Sequence, residues 1–298
     1  MTTFTYDMPL YRPPSEAQSL IFQLTLGCSF NQCAFCSMYR TKSFTIRPIE
    51  EVLSEIYETA RDYSHYARRV FLADGDALVC PTEYLDRILG ALYESFPKLT
   101  RVTSYAMPGN LLRKSVEELS QLRKRGLTMI YYGIESGSPE ILKRITKGAT
   151  PESMIIGIDK ANKANLKISG TVVLGLGGRT LWQEHMDGTI ALINKVKLNY
   201  LSTLQVYLEP VVRNEFSEKF ARRGGTYDPQ DDFGILAEQA RLVAGLDPSS
   251  PVIFRANHAS NALPLKGILP RDRDKILSLL GAASNGEIPL RSLSQRGL

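Results

Sequence analysis

Leu20-Ile21-Phe22-Gln23-Leu24-Thr25-Leu26-Gly27-Cys28-Ser29-Phe30-Asn31-Gln32-Cys33-Ala34-Phe35-Cys36 is the stretch that decides how the chain is read. Leu20, Phe22, Leu24 and Leu26 alternate with polar or mixed residues, the period of a half-buried strand, and the alternation stops at Gly27. Three of the chain's 4 cysteines follow at once. A thiol in a chain of this kind usually packs as a small hydrophobe, but three of them in one Gly-led, polar-flanked loop have poor prospects as core, so ligation is favoured. Structural zinc and electron-transfer clusters take four protein ligands. Three thiolates on a [4Fe-4S] cube leave one iron open to another molecule, which implies chemistry rather than stapling.

The pattern continues outward as strand and helix in turn. Behind Pro48, residues Ile49, Val52, Leu53, Ile56, Tyr57 and Ala60 recur at helical spacing. Arg69 to Ala73 reads as a short buried strand, and Pro81 and Thr82 lead a helix that turns Leu85, Ile88, Leu89 and Leu92 inward. A strand over Arg101 to Tyr105 precedes a helix opened by a capping box, Ser115 with Glu118. Then come a strand at Thr128 to Tyr132, helices near 138-146 and 151-164, a strand at Leu166 to Leu174, a helix at 181-195 and a strand at Tyr200 to Tyr207. Six strand-helix units predict an α/β fold with a parallel sheet, whose site lies in loops at the carboxyl ends of the strands. Residues 208-234 read as a long connection and a candidate lid. A helix near 232-244, a strand at Val252 to Phe254, a polar loop and a helix near 271-281 follow.

At 298 residues, 43% apolar and 22% charged, the composition is that of an ordinary globular protein. No stretch approaches the roughly 20 apolar residues of a membrane helix. Met1-Thr2-Thr3-Phe4-Thr5-Tyr6-Asp7 lacks the basic and apolar regions of a signal peptide, so a cytoplasmic location is expected, in keeping with clustered reduced thiols. The net charge of +5 is spread among interleaved acids and bases, with no basic run carrying stacking aromatics. A small-molecule substrate, anionic or zwitterionic, is favoured over nucleic acid.

The cysteine loop resembles the cluster motif of the radical S-adenosylmethionine (SAM) enzymes. In that family three cysteines hold the cube, an aromatic residue precedes the last, here Phe35, and the open iron chelates the methionine moiety of SAM. Four residues separate Cys28 from Cys33, one more than the commonest family spacing. The resemblance implies a partial (β/α)6 TIM-like barrel over 18-210, with an amino-terminal arm at 1-17 and a small α+β carboxy-terminal extension at 211-298. It implies reductive cleavage of SAM at a [4Fe-4S] cluster held by Cys28, Cys33 and Cys36, and a partner reductant such as flavodoxin or ferredoxin. Two rival readings are a cluster-bearing carrier of haem or another cofactor that does not turn SAM over, and a structural zinc protein with a distant fourth ligand.

Later strand ends carry further candidates. Asp74, Gly75 and Asp76 can accept hydrogen bonds from an ammonium while the glycine admits a ligand to the backbone, and the same residues also suit a tight turn. The family places there a Gly-Gly-Glu-like motif that meets the amino group of SAM. Gly133-Ile134-Glu135-Ser136-Gly137-Ser138 resembles the corresponding family segment, with Glu135 facing a ribose hydroxyl or the methionine moiety; alternatively Ser138 caps the next helix. Gly170 opens a Gly-rich stretch that suits close approach to the adenine or ribose of SAM, although neither a dinucleotide fingerprint nor a phosphate-loop lysine is present. In Arg255-Ala256-Asn257-His258, Arg255 can bind a carboxylate and His258 can move a proton as substrate contacts, or the loop satisfies its own backbone. His185 reads as a helix-face residue, His65 as a surface residue and Cys80 as structural.

Overall fold

The computed structural model describes residues 6–296, so Met1 to Thr5 of the expected amino-terminal arm lie outside it. The chain forms two compact units. The first holds the described residues through Asn31, then Met38–Tyr132 and Lys160–Ile168; the second holds Gln32–Ser37, Gly133–Asp159 and the chain from Ser169 onward. Among the described residues no helix is long and apolar enough to cross a membrane.

The elements run β1 (Leu20–Gln23), β2 (Thr25–Leu26), β3 (Thr45–Ile46), α1 (Ile49–Tyr63), β4 (Arg69–Ala73), α2 (Thr82–Ser95), β5 (Arg101–Ala106), α3 (Pro108–Arg113), α4 (Val116–Arg125) and β6 (Leu127–Glu135). They continue with α5 (Pro139–Arg144), α6 (Pro151–Lys163), β7 (Lys167–Leu174), α7 (Gly178–Ile193), β8 (Tyr200–Gln205), α8 (Pro210–Ala221), α9 (Asp232–Gly245), β9 (Val252–Ala256), β10 (Leu265–Leu269) and α10 (Arg273–Ser284). The expected α/β alternation is present, and the strands are mostly parallel.

In the first unit β1, β4, β5 and the first part of β6 pair in parallel, with Phe22 opposite Leu72 and Tyr105 opposite Tyr131. Phe22, Leu72, Val102 and Ile130 are buried, and α1 and α2 close over them with Val52, Ile56, Ile88 and Leu92. The capping box of α4 forms as read: the Glu118 N–H donates to Ser115 Oγ at 3.1 Å, and the Ser115 N–H donates to Glu118 Oε2 at 2.7 Å. Such a cap is worth about 1 kcal/mol. Gly126, at φ 118°, ends the same helix in a conformation that a side chain would strain.

In the second unit β7, β8 and β9 are parallel, and β10 returns antiparallel along β9. Leu201, Phe254 and Ala256 point to the buried side. Alternate residues on the other side, Tyr200, Ser202, Ile253 and Arg255, stay half-exposed.

Four local readings need correction. The first strand breaks at Leu24, whose N–H donates to Ala73 O, and Thr25–Leu26 then leave to pair with Thr45–Ile46. The connection expected at 208-234 contains α8. Its buried face is the narrow stripe Val212, Phe216 and Phe220, too thin to announce a helix. Arg144 completes α8 by donating to the carbonyls of Phe220 (2.5 Å), Gly224 (2.8 Å) and Arg223 (3.1 Å), with its guanidinium over the Phe220 ring. Within the stretch read as a polar loop and its continuation, β10 was missed because Lys266 and Gly267 break the apolar pattern, and α3 was missed because it is six residues long.

Candidate functional site

In the first unit the end of β4 is tied to the start of the cysteine loop. The buried carboxylate of Asp74 accepts the Gly27 N–H at 3.0 Å and the Lys42 ammonium at 2.7 Å on one oxygen. Lys42 also reaches Asp7, at 2.9 Å to its carboxylate. Burial pushes the Asp74 carboxyl up, and Lys42 and the Gly27 N–H pull it back in part. The Gly75 N–H closes the contact from the other side by donating to Gly27 O at 3.2 Å. A Cβ on Gly75 would stand 2.6 Å from the Tyr39 ring and 3.0 Å from Cys28 Cβ, so glycine is the residue that lets this strand end lie against the first cysteine.

Asp76 stands beyond it, wholly buried. Ser29 of the cysteine loop donates a very short hydrogen bond to its Oδ2. Burial drives the carboxyl up to about 7, against the opposing pull of Ser29, Asn110, Arg113 and the Met107 N–H. Asn110 and Met107 lie near enough to act on its charge, yet Oδ1 makes no well-formed hydrogen bond. A buried carboxylate oxygen left in this way fits a cationic group brought by a ligand. Cys80 differs from the loop cysteines: it is wholly buried and its thiol is pushed up to about 12, chiefly by that burial.

The second unit holds Cys33 and Cys36. The Cys36 N–H donates to Cys33 O at 3.1 Å, the Ala34 N–H donates to Ile145 O at 2.8 Å, and Lys219 of α8 donates to Gln32 O at 3.1 Å. Cys28, Cys33, Cys36 and Phe35 are all half-exposed. Glu135, the last residue of β6, adopts φ 62° and pairs with Lys147 at 3.0 Å. Burial works against the Lys147 charge, but Glu135, Cys33 and Cys36 outweigh it and raise its proton affinity. Gly133 makes the room, because a Cβ there would lie 2.1 Å from Glu135 Oε1.

Other expected site residues have inward roles. The Ser136 hydroxyl is 2.8 Å from His185 Nδ1 and accepts the Ser138 N–H at 3.0 Å. His185 Nε2 faces Val173 O at 2.9 Å; a carbonyl only accepts, so Nε2 carries the proton and Ser136 donates to Nδ1. His185, on the buried face of α7, is pushed down to about 4 by burial, so it stays neutral. Gly170 packs under Ile134 and Leu198, each 3.0 Å from where its Cβ would be. Ser138 caps α5 through the Ile141 N–H.

Arg255 lies within β9, half-exposed, and donates to Phe254 O. His258 is held by Ser260 at 2.9 Å, while Asn261 accepts the Gln205 N–H and donates to Thr203 O, so this loop does satisfy backbone groups. Lys42, Tyr39, Lys147 and Glu238 were not singled out from the sequence, where none of them carries a local motif. Glu238 of α9, buried and raised to about 7 mainly by that burial, accepts the Gly175 N–H at 2.7 Å, and Tyr227 donates to Gly175 O at 2.9 Å. The turn after β7 is thus clamped at both of its polar groups.

Among the described residues no three His, Cys, Asp or Glu side chains are gathered closely enough to hold a single metal ion. Thiolates are soft donors of the kind an iron–sulfur cluster takes; Cys28 in the first unit and Cys33 and Cys36 in the second are half-exposed, and Cys33 and Cys36 favour the charge of the Lys147 ammonium.

Residues 22–192 match the radical SAM superfamily. An uncharacterised methyltransferase of Pyrococcus horikoshii is 27% identical over 176 residues, 58% of this chain and 36% of that one. The chain spans under half the length of the curated relatives it matches. Among solved structures, coproporphyrinogen III oxidase of Escherichia coli superposes with a TM-score of 0.56 at 14% identity, covering 76% of this chain and 52% of the other. The methyltransferase TsrM of Kitasatospora setae, with cobalamin and a [4Fe-4S] cluster bound, gives 0.53 at 15% identity over 89% and 61%. These likenesses show the fold, a partial TIM-like barrel.

Proposed function

Because the chain belongs to the radical SAM superfamily, we propose that it holds a [4Fe-4S] cluster on Cys28, Cys33 and Cys36 and cleaves SAM reductively to act on a small molecule. One observation carries the reading. The three loop cysteines are half-exposed, whereas Cys80, outside the motif, is buried and protonated. When bound, the cluster would pass one electron from the reductant to SAM, whose carbon–sulfur bond would break to give methionine and a 5'-deoxyadenosyl radical able to remove hydrogen from the substrate.

The chain's own residues orient and shield that chemistry. Phe35, half-exposed beside Cys36, would pack against the cluster. Asp74, through Gly27 and Lys42, holds the cysteine loop to β4. Gly75 allows close approach, and Asp76 offers its unpartnered oxygen to the SAM ammonium. Glu135 and Lys147 face the polar groups of SAM with opposite charges. Ser136 and Gly170 shape the strand ends, Ser136 by fixing His185 and Gly170 by packing under Ile134. Arg255 and His258 serve the substrate. A small electron-transfer protein such as flavodoxin or ferredoxin is the reductant.

The test is anaerobic reconstitution with iron and sulfide, reduction by dithionite, and mass spectrometry of the nucleoside products. Protein with a full cluster is expected to release 5'-deoxyadenosine from SAM, and Cys33→Ala to release none. A fully loaded protein that leaves SAM intact in the presence of cell extract would overturn the proposal.

A further inference from the structure

The second unit carries a polar row that runs unbroken across four strands. Thr171 of β7 is in register with Ser202 of β8, Ser202 with Arg255 of β9, and Arg255 with Lys266 of β10. Residues in register share a face of the sheet, so two hydroxyls and two cations line up on one side. That side is open: Thr171, Ser202 and Arg255 are half-exposed and Lys266 is exposed, while Leu201, Phe254 and Ala256 of the opposite face are buried. Arg255 is the penultimate residue of β9, which runs parallel to β8, while Thr171 and Ser202 lie within β7 and β8, so the row crosses the body of the sheet.

Arg255 and Lys266 are directly opposite each other, with Cβ atoms about 5 Å apart by strand geometry, and like charges so placed repel. Among the described residues no carboxylate bridges to either one; Glu135 is engaged by Lys147, Asp232 by Arg296 and Glu140 by Arg144 and Arg223. Two adjacent cations left unneutralised on an open face call for a ligand carrying two negative charges. A carboxylate supplies one. A phosphate monoester supplies nearly two at pH 7 and has three acceptor oxygens, which suit the planar fork of Arg255, the point charge of Lys266 and the hydroxyl of Ser202. One step along the same face, Tyr200, Ile253 and Ile268 form a second register row, mostly apolar and half-exposed, on which the uncharged part of such a ligand can lie.

The geometry points to a substrate that carries a phosphate monoester, bound by Arg255 and Lys266 with Ser202 and Thr171 beside them. This rests on the proposed radical chemistry for its role as substrate, and it names the class that the chemistry acts on. The experiment is calorimetric titration of the cluster-loaded protein with glycerol 3-phosphate, inorganic phosphate and acetate, repeated on Lys266→Met and Arg255→Met. Lys266 is exposed, so its variant keeps the fold, and circular dichroism checks the Arg255 variant. Glycerol 3-phosphate is expected to bind at least tenfold more tightly than acetate, and each variant to lose at least tenfold. Equal binding of acetate, no measurable phosphate binding, or variants that bind as the parent does would each overturn the site. The unmodified preparation, reduced with dithionite, is also assayed for 5'-deoxyadenosine in the presence of cell extract. Phosphate binding lost in both variants without SAM cleavage keeps the anion site and sinks the radical reading, while SAM cleavage without phosphate binding does the reverse.

Discussion

Lys147 and Glu135 form an ion pair of 3.0 Å with both side chains almost wholly withdrawn from water. A pair in that setting is costly to break because the surviving charge loses its partner without regaining solvent, typically by about 3–5 kcal/mol. Lys147→Met and Glu135→Gln should each lower the unfolding free energy of the cluster-free protein, read from urea curves, by an amount in that range, and the double variant should recover a large part of the loss. Gly133→Ala should resemble the single variants, since its Cβ would overlap the Glu135 carboxylate. Simple additivity of the two single losses would show that the pair is not coupled.

The strand ends were legible in the sequence because each rests on a local signal: alternation into Gly27, the Ala73-Asp74-Gly75-Asp76 run, the Glu135 segment and the Ser115 capping box. What those residues touch was not legible. Asp74 reads as a ligand, and one oxygen of its carboxylate takes Lys42 and Gly27; Ser136 reads as a contact, and its hydroxyl serves His185. Such partners lie tens of residues apart, and no periodicity encodes them. The same holds for the register of Arg255 with Lys266, which exists only once β10 returns along β9. Helix α8 escaped notice because its stability comes from packing and from Arg144 rather than from a broad apolar face.

Glu238 predicts one pH dependence. Its folded pKa is raised from 4.5 to about 7 by burial, so between those values the folded protein holds a proton that the unfolded chain has released. Stability from this group therefore falls as pH rises through the window. Glu238→Gln cannot release the proton and still accepts from Gly175. Its stability relative to the parent should improve from pH 4.5 to 7 by on the order of 3 kcal/mol, read from urea curves at a series of pH values. A difference that stays flat would rule out the buried carboxylic acid.

His185 predicts the opposite slope. The folded pKa is lowered from 6.5 to about 4, so between those values the unfolded chain binds a proton that the folded protein does not. Stability from His185 is present above pH 6.5 and is lost as pH falls toward 4. His185→Gln, whose amide can still donate to Val173 O and accept from Ser136, should resist acid better than the parent in this interval. Because the windows of Glu238 and His185 overlap with opposite sign, the parent curve alone conceals both, and the two variants must be compared with it separately.

Lys42 predicts an effect on cluster retention. It neutralises the buried Asp74 carboxylate that receives the Gly27 N–H, and Gly27 is the residue before Cys28. Lys42→Met leaves that carboxylate uncompensated, so the start of the cysteine loop loosens. Iron content after anaerobic desalting is expected to drop at least severalfold, and Asp74→Asn with Lys42→Met should restore part of it by removing the orphan charge. Unchanged iron in the single variant would show that the Asp74 tie does not position the loop.

Cys80 gives the sharpest separation between the two kinds of thiol. Alkylation requires the thiolate and access to it, and Cys80 lacks both, being wholly buried with its thiol pushed up to about 12. Cys28, Cys33 and Cys36 are half-exposed, and Lys147 lies near enough to feel the charge of two of them. Cluster-free folded protein treated with iodoacetamide at pH 7.5 should be modified at Cys28, Cys33 and Cys36 while Cys80 is spared; in urea all four should react. Loading the cluster should protect the same three and leave Cys80 unchanged. Peptide mass spectrometry reads each position, and protection of only two of the three would mean that the third thiol is not a ligand and that the extra residue between Cys28 and Cys33 has moved one cysteine out of the set.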